Sequence, residues 1–297
     1  MTRFLLLSSV TLATLAPLTT ASAADVPMKS GELILTQFVS APFPHPSRSE
    51  GHRYKDESLP AAKHYSDSTV ALFVPHGFRA GETVDFVIHF HGWRNNVTNA
   101  LERFRPLEMF TKSQRNAVFI LPQGPRDAPD SSCGKLEDAD GFKRFITEAI
   151  SILAQRRVLK THATAGRIIL SGHSGGYQVM ASIVERGGLT ENIREVWLFD
   201  ALYGRGDKFL AWSDKTNGRL VNIYNDTGGT KSRTEEMISQ LRSRGTDILT
   251  STDLTVSQAE LKTNRFVFLH SDMNHNDVFA ARKTFQTFLE TSCLEKR

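Results

Sequence analysis

Only two cysteines occur in the 297 residues, Cys133 and Cys293, so the chain can close at most one disulfide. Beyond residue 18 no apolar run approaches the ~20 residues needed to span a bilayer, which excludes a transmembrane helix there. The chain lacks a Walker-type phosphate loop and a dinucleotide fingerprint, so no nucleotide cofactor is implied. A net charge of +4 is a mild excess, and no basic-aromatic stripe accompanies it, so nucleic acid is not an expected partner. Internal repeats, heptads and low-complexity segments are also missing.

Residues 1–23 carry the pattern of a leader peptide. Arg3 gives a basic start, residues 4–18 are apolar, and Ala21-Ser22-Ala23 forms a small-residue cleavage site. The expected mature chain begins near Ala24 and is secreted or periplasmic. In an oxidising compartment an even cysteine count predicts a Cys133–Cys293 disulfide, tying a mid-chain loop to the C-terminal helix. About 274 residues then remain, a length at which one α/β domain is common. They divide into an N-terminal entry segment, 24–66, in which 40–49 reads as an irregular loop, and a folded domain, 67–297.

From about residue 68, strand-like and helix-like segments alternate, which predicts a mostly parallel central sheet with helices on both faces. Strands are expected at 69–74, 84–90, 117–121, 167–170, 196–199, 220–224 and 265–269. Helices are expected at 98–110, 141–159, 177–186, 208–212, 235–244 and 278–290. In the second helix Phe142, Phe145, Ile146, Ala149, Ile150 and Leu153 recur at three-four spacing and make one apolar face. Most such side chains are core. No insertion is large enough for a separate lid domain.

Chemistry is concentrated in Gly172-His173-Ser174-Gly175-Gly176, set between an apolar strand and a helix. A serine flanked by glycines at a sharp strand-to-helix turn is a nucleophile elbow, with the helix amides aimed where negative charge develops. A serine hydroxyl needs a base within hydrogen-bond reach. His275 lies in the polar loop after the last strand, at the edge where sites form in parallel sheets. His270, which closes that strand, is the fallback. His173 follows the elbow's opposite side and shapes the pocket.

Two carboxylates compete to orient the histidine. Asp226 follows strand 220–224, but Asn225-Asp226-Thr227-Gly228-Gly229 reads as turn chemistry. Asp200 follows strand 196–199 amid apolar flanks, and a carboxylate buried there needs a partner such as an imidazolium. Asp200 is favoured, with Asp226 as the alternative. For an oxyanion hole the donors expected are the backbone N–H of Gly175 and that of Trp93, with Gly92 letting the backbone approach. His89 and His91 share a strand face, but no acidic or cysteine cluster stands at ligand spacing beside them, so no metal is expected.

With Gly172–Gly176, His91-Gly92 and the His275 loop in order, the chain resembles the α/β-hydrolase superfamily, specifically its exported serine esterases and peptidases, over residues 69–290. That resemblance implies an eight-stranded sheet, a Ser-His-acid triad and acyl transfer through a covalent acyl-enzyme, without a cofactor. The expected substrate is a small-molecule ester. A peptide or amide substrate, with cell-wall peptides among the candidates, is the alternative, and a non-catalytic binding protein on the same fold is a third class.

Overall fold

The computed structural model describes residues 24–297, with side chains from residue 29 onward; the expected leader peptide, 1–23, lies outside them. Strands are β1 Ala24–Met28, β2 Gly31–Gln37, β3 His52–Tyr54, β4 Glu57–Leu59, β5 Thr69–Pro75 and β6 Thr83–Phe90. They continue as β7 Val118–Pro122, β8 Thr164–His173, β9 Ile193–Phe199, β10 Arg219–Asn225, β11 Leu249–Thr252 and β12 Phe266–Ser271. Helices are α1 Ala61–His64, α2 Val97–Phe104, α3 Pro106–Ser113, α4 Gly141–Gln155 and α5 Tyr177–Arg186. The rest are α6 Gly206–Thr216, α7 Lys231–Ser243, α8 Gln258–Thr263 and α9 Thr284–Glu290.

One sheet takes ten of these strands in the order β1-β2-β5-β7-β6-β8-β9-β10-β12-β11, two more than the resemblance implied. From β7 through β11 every pairing is parallel, whereas β1, β2 and β5 pair antiparallel. All seven strands expected from sequence are present. Those not anticipated include β1, β2 and β11, which form the sheet's margins. A marginal strand such as β11, Leu-Thr-Ser-Thr, is only partly covered and does not need the continuous apolar run that marks a central one.

Strand alternation divides the core between two faces. On β5, Val70, Leu72 and Val74 join one cluster with Phe142, Phe145, Ile146, Ala149 and Leu153 of α4. Ala71 and Phe73 point the other way, toward a cluster that holds Phe110 of α3 and Phe285, Phe288 and Leu289 of α9. Successive strand side chains face opposite sides, so a strand covered on both faces must be apolar throughout. That is the physical origin of the runs legible in the sequence.

Two helical expectations change. The segment 98–110 breaks into α2 and α3 at Arg105, which takes a left-handed conformation before Pro106. A residue preceding proline is pushed out of the right-handed helical region, so the first helix ends there and the proline opens the second. At the C-terminus only Thr284–Glu290 is helical, and Val278 and Phe279 are buried from turns instead.

The expected Cys133–Cys293 disulfide is absent, and both residues are free thiols. They lie at opposite ends of the central strands. Cys133 sits beside Gly124 and His91, past the C-terminal ends of β7 and β6. Cys293 donates its backbone N–H to Glu195, near the start of β9, and its carbonyl accepts from Arg167 near the start of β8. A disulfide requires Cα atoms within about 7 Å, which a sheet-spanning separation does not allow.

Candidate active site

At the end of β8 the chain reverses through Ser174, whose φ is +54°, and enters α5. The two outer glycines are there for space. A methyl at Gly172 would come within 2.6 Å of Met180 Cε, and one at Gly176 within 2.7 Å of the Phe90 carbonyl. The first would displace the Met180 side chain, and the second could be relieved only by moving backbone. The elbow leaves Ser174 half-buried on the wall of a cavity of about 710 Å³.

His275 lines the same cavity. Its Nδ1 lies 2.6 Å from Oδ2 of Asp200, which is fully buried. Asp200 ends β9 with φ +45° and accepts further hydrogen bonds from Asn225 Nδ2, at 2.9 Å, and from the Thr230 hydroxyl. Three donors thus converge on one carboxylate, which meets the desolvation cost of burying it.

Asp226 is elsewhere. It is exposed and pairs with Lys231 at 2.7 Å and with His270 at 3.2 Å. The two fallback residues therefore meet each other outside the site. The turn that carries Asp226 nonetheless serves Asp200. Asn225 Oδ1 accepts the backbone N–H groups of Thr227 and Gly228, folding that turn back over the carboxylate. A methyl at Gly228 would fall 1.7 Å from Asp200 Oδ2. The turn chemistry expected at 225–229 is present, as an Asx turn opened by Asn225.

Three residues around this core were not identified from sequence as parts of the acid's setting: Asn225, Thr230 and Tyr203. Only the asparagine at the end of β10, opening an Asx turn, carried a usable signal. Tyr203 donates to the Gly228 carbonyl and also contacts the Ser174 hydroxyl. Burial pushes its own hydroxyl up to about 12, so it stays protonated at neutral pH.

His173 is buried, and its Nε2–H donates to the backbone carbonyl of His275 at 2.8 Å. Burial, with the neighbouring His275 second, pushes His173 down to about 4, so it is a neutral donor. His91 is committed to the loop that follows β6. Its Nδ1–H donates to the Gly92 carbonyl at 2.9 Å, while Nε2 accepts the Gly124 N–H at 3.1 Å. His89 Nδ1 meets the Ser171 hydroxyl at 2.9 Å. Among the described residues no group of three or more His, Cys, Asp or Glu is placed to hold a metal ion.

The loop His91–Asn96 approaches the elbow closely. A methyl at Gly92 would lie 2.6 Å from Ser174 Cβ, so only glycine fits. The backbone N–H of Trp93 has no hydrogen-bond acceptor among the described residues. Its indole N–H donates to Ser131 Oγ at 2.7 Å, and the ring packs against the position where a Gly175 side chain would be. Gly92 thus lies close against Ser174, and Gly175 close against Trp93 and Ser131.

An elbow serine after a parallel strand, with a carboxylate-bound histidine on a loop after the last long strand, defines the α/β-hydrolase fold. Among solved structures, a mutant of the feruloyl esterase module from Clostridium thermocellum, complexed with sinapinate, is similar over 94% of this chain and 96% of that one. Its TM-score is 0.53 at 8% sequence identity. S-formylglutathione hydrolase from Staphylococcus aureus is similar over 75% of this chain and 90% of that one, with a TM-score of 0.48 and 12% identity. No protein-family model and no curated protein sequence matches the chain.

Proposed function

We propose that the protein is an exported serine hydrolase that cleaves carboxylic esters through an acyl-enzyme. The observation that carries this reading is the 2.6 Å contact between His275 Nδ1 and buried Asp200, on the wall of a cavity that Ser174 shares. In this reading Asp200 holds His275 with its Nδ1 protonated, leaving Nε2 unprotonated as the base. Ser174 Oγ attacks the carbonyl carbon and passes its proton to Nε2. The carbonyl oxygen becomes an oxyanion, held by the backbone N–H groups of Gly175 and Trp93. The tetrahedral intermediate then breaks its bond to the alcohol oxygen, which takes the proton from Nε2. Water, deprotonated by the same nitrogen, repeats the sequence and releases the acid and free Ser174. Export rests on the pattern of residues 1–23, and the N-terminal sequence of protein recovered outside the cytoplasm should begin near Ala24.

The test is covalent labelling by a fluorophosphonate with peptide mapping, alongside hydrolysis of short activated esters. Label on Ser174 and its loss in Ser174→Ala are expected. Absence of both labelling and ester turnover would leave a binding protein on a hydrolase fold. Faster turnover of matched peptide or amide substrates would reassign the bond.

A further inference from the structure

Ser174 stands between two cavities of different character. The larger, about 710 Å³, also contains His275 and is bordered by Asn95, Asn99, Glu102, Arg103 and Asn276. The smaller, about 200 Å³, contains Ser174 and Gly175 but not His275; Tyr177 lines only this one, and Trp93 and Tyr203 stand between it and the larger one. Tyr177 and Tyr203 lie with ring centres 5.9 Å apart. The Trp93 indole, fixed to Ser131 by its N–H, closes the opposite side.

Proton transfer decides which part of an ester goes where. In the ester-hydrolase reading, on which this argument rests, the leaving alcohol oxygen must take its proton from His275. A general acid has to be within hydrogen-bond reach of the oxygen it protonates. The alcohol side therefore occupies the cavity that contains His275, and the acyl side turns toward the cavity that does not. Gly175, whose N–H faces the carbonyl oxygen in that reading, forms part of the acyl cavity.

Size and polarity then define the substrate. We propose that the protein acts on short-chain acyl esters, acetyl to butanoyl, of a large hydroxyl-rich alcohol such as a sugar or polyol. The smaller cavity is below the ~300 Å³ typical of pockets for drug-sized ligands, and at ~30 Å³ per water-sized group it holds roughly six or seven heavy atoms. Its aromatic walls offer a short alkyl chain apolar contact. The larger cavity is bordered by three amide side chains and by the charged side chains of Glu102 and Arg103. Arg94 adds a third charge to this border. Together these side chains offer both donors and acceptors, which suits neutral hydroxyl groups better than a fatty alcohol.

Two substrate series test this. With 4-nitrophenyl acetate, butanoate, hexanoate and octanoate, kcat/KM should fall at least tenfold between butanoate and octanoate. Tyr177→Ala should shift the octanoate-to-acetate ratio upward at least tenfold. Ser131→Leu, which adds bulk to the opposite wall, should shift it downward. With ethyl acetate against a monoacetylated sugar, wild type should favour the sugar. Asn99→Ala should reduce that preference severalfold while leaving the acyl-length ratio unchanged. Octanoate turnover within threefold of acetate in wild type overturns the inference, as does an acyl-length ratio that responds to Asn99→Ala and not to Tyr177→Ala. Both results presuppose fluorophosphonate labelling of Ser174 and measurable ester turnover. Failure of those two controls refutes the parent reading instead.

Discussion

His173 and His275 are joined twice: their rings lie 4.6 Å apart, and His173 donates to the His275 backbone carbonyl at 2.8 Å. The residue before the nucleophile thereby anchors the loop that carries the histidine, across 102 positions of sequence. This side chain adds a direct tie between the elbow and the His275 loop to the one the shared sheet provides. In a catalytic reading that makes His173 a positioning residue. It lines the same cavity and acts on the reaction through the position of His275.

The two carboxylates should separate cleanly in kinetics. Asp200→Asn keeps the shape but replaces the acceptor facing His275 Nδ1, which favours the wrong imidazole tautomer. A loss in kcat of about 10⁴-fold is expected, as for the equivalent change in serine proteases. Asp226→Asn breaks exposed pairs with Lys231 and His270 and should change kcat less than about threefold, since such pairs contribute little. Steady-state kinetics on one activated ester, with both variants side by side, checks the assignment.

Gly228→Ala should behave as an active-site variant although residue 228 is not a site residue. Its added methyl collides with Asp200, and relief requires the carboxylate or the turn to move by about an ångström. Displacement on that scale costs about 10²-fold in rate. Retained activity in Gly228→Ala, with an unchanged circular dichroism spectrum, would show that the turn is not holding the acid.

Buried histidines should make the fold sensitive to acid. Burial lowers His89, His91 and His173, the last to about 4. Each is neutral in the folded chain and free to protonate in the unfolded one below its ordinary value of 6.5. The unfolded state therefore binds more protons below pH 6.5, for His173 down to about pH 4, and stability falls as the pH falls through that window. Each such group contributes a slope of about 1.4 kcal/mol per pH unit. Urea unfolding at several pH values should show a shallower decline in His173→Gln than in wild type. An identical slope in the two proteins would contradict the assignment.

Reductant should leave the stability unchanged. Cys133 is fully packed, and burial holds its thiol well above its ordinary value, so it should resist thiol reagents until the protein unfolds. Two thiols per chain are expected on titration in denaturant without reductant, and the melting temperature should be the same with and without it. One disulfide per monomer in the unfolded, unreduced protein would reverse this.

Local chemistry explains what could be read in advance. The central strands are legible because a strand covered on both faces is apolar at every position. The elbow is legible because a tight turn against a strand and a helix admits only glycine on either side of Ser174. Edge strands escaped because one face or one margin is open to water. The split at Arg105-Pro106 was marked by the proline, but the three-four apolar spacing continues across it.

The sequence alone determined the sheet's central strands, the position of Ser174 and the loop that carries His275. Each of these depends on neighbours within a few residues. That His275 meets Asp200 and not Asp226, that no disulfide forms and that the site divides into two cavities appear only in three dimensions. Asp200 and His275 are separated by 75 positions and meet because β9, β10 and β12 lie in parallel register. Cys133 and Cys293 are kept apart by that same sheet. Which residues face one another depends on strand order, and strand order comes from packing the whole chain rather than from any one segment.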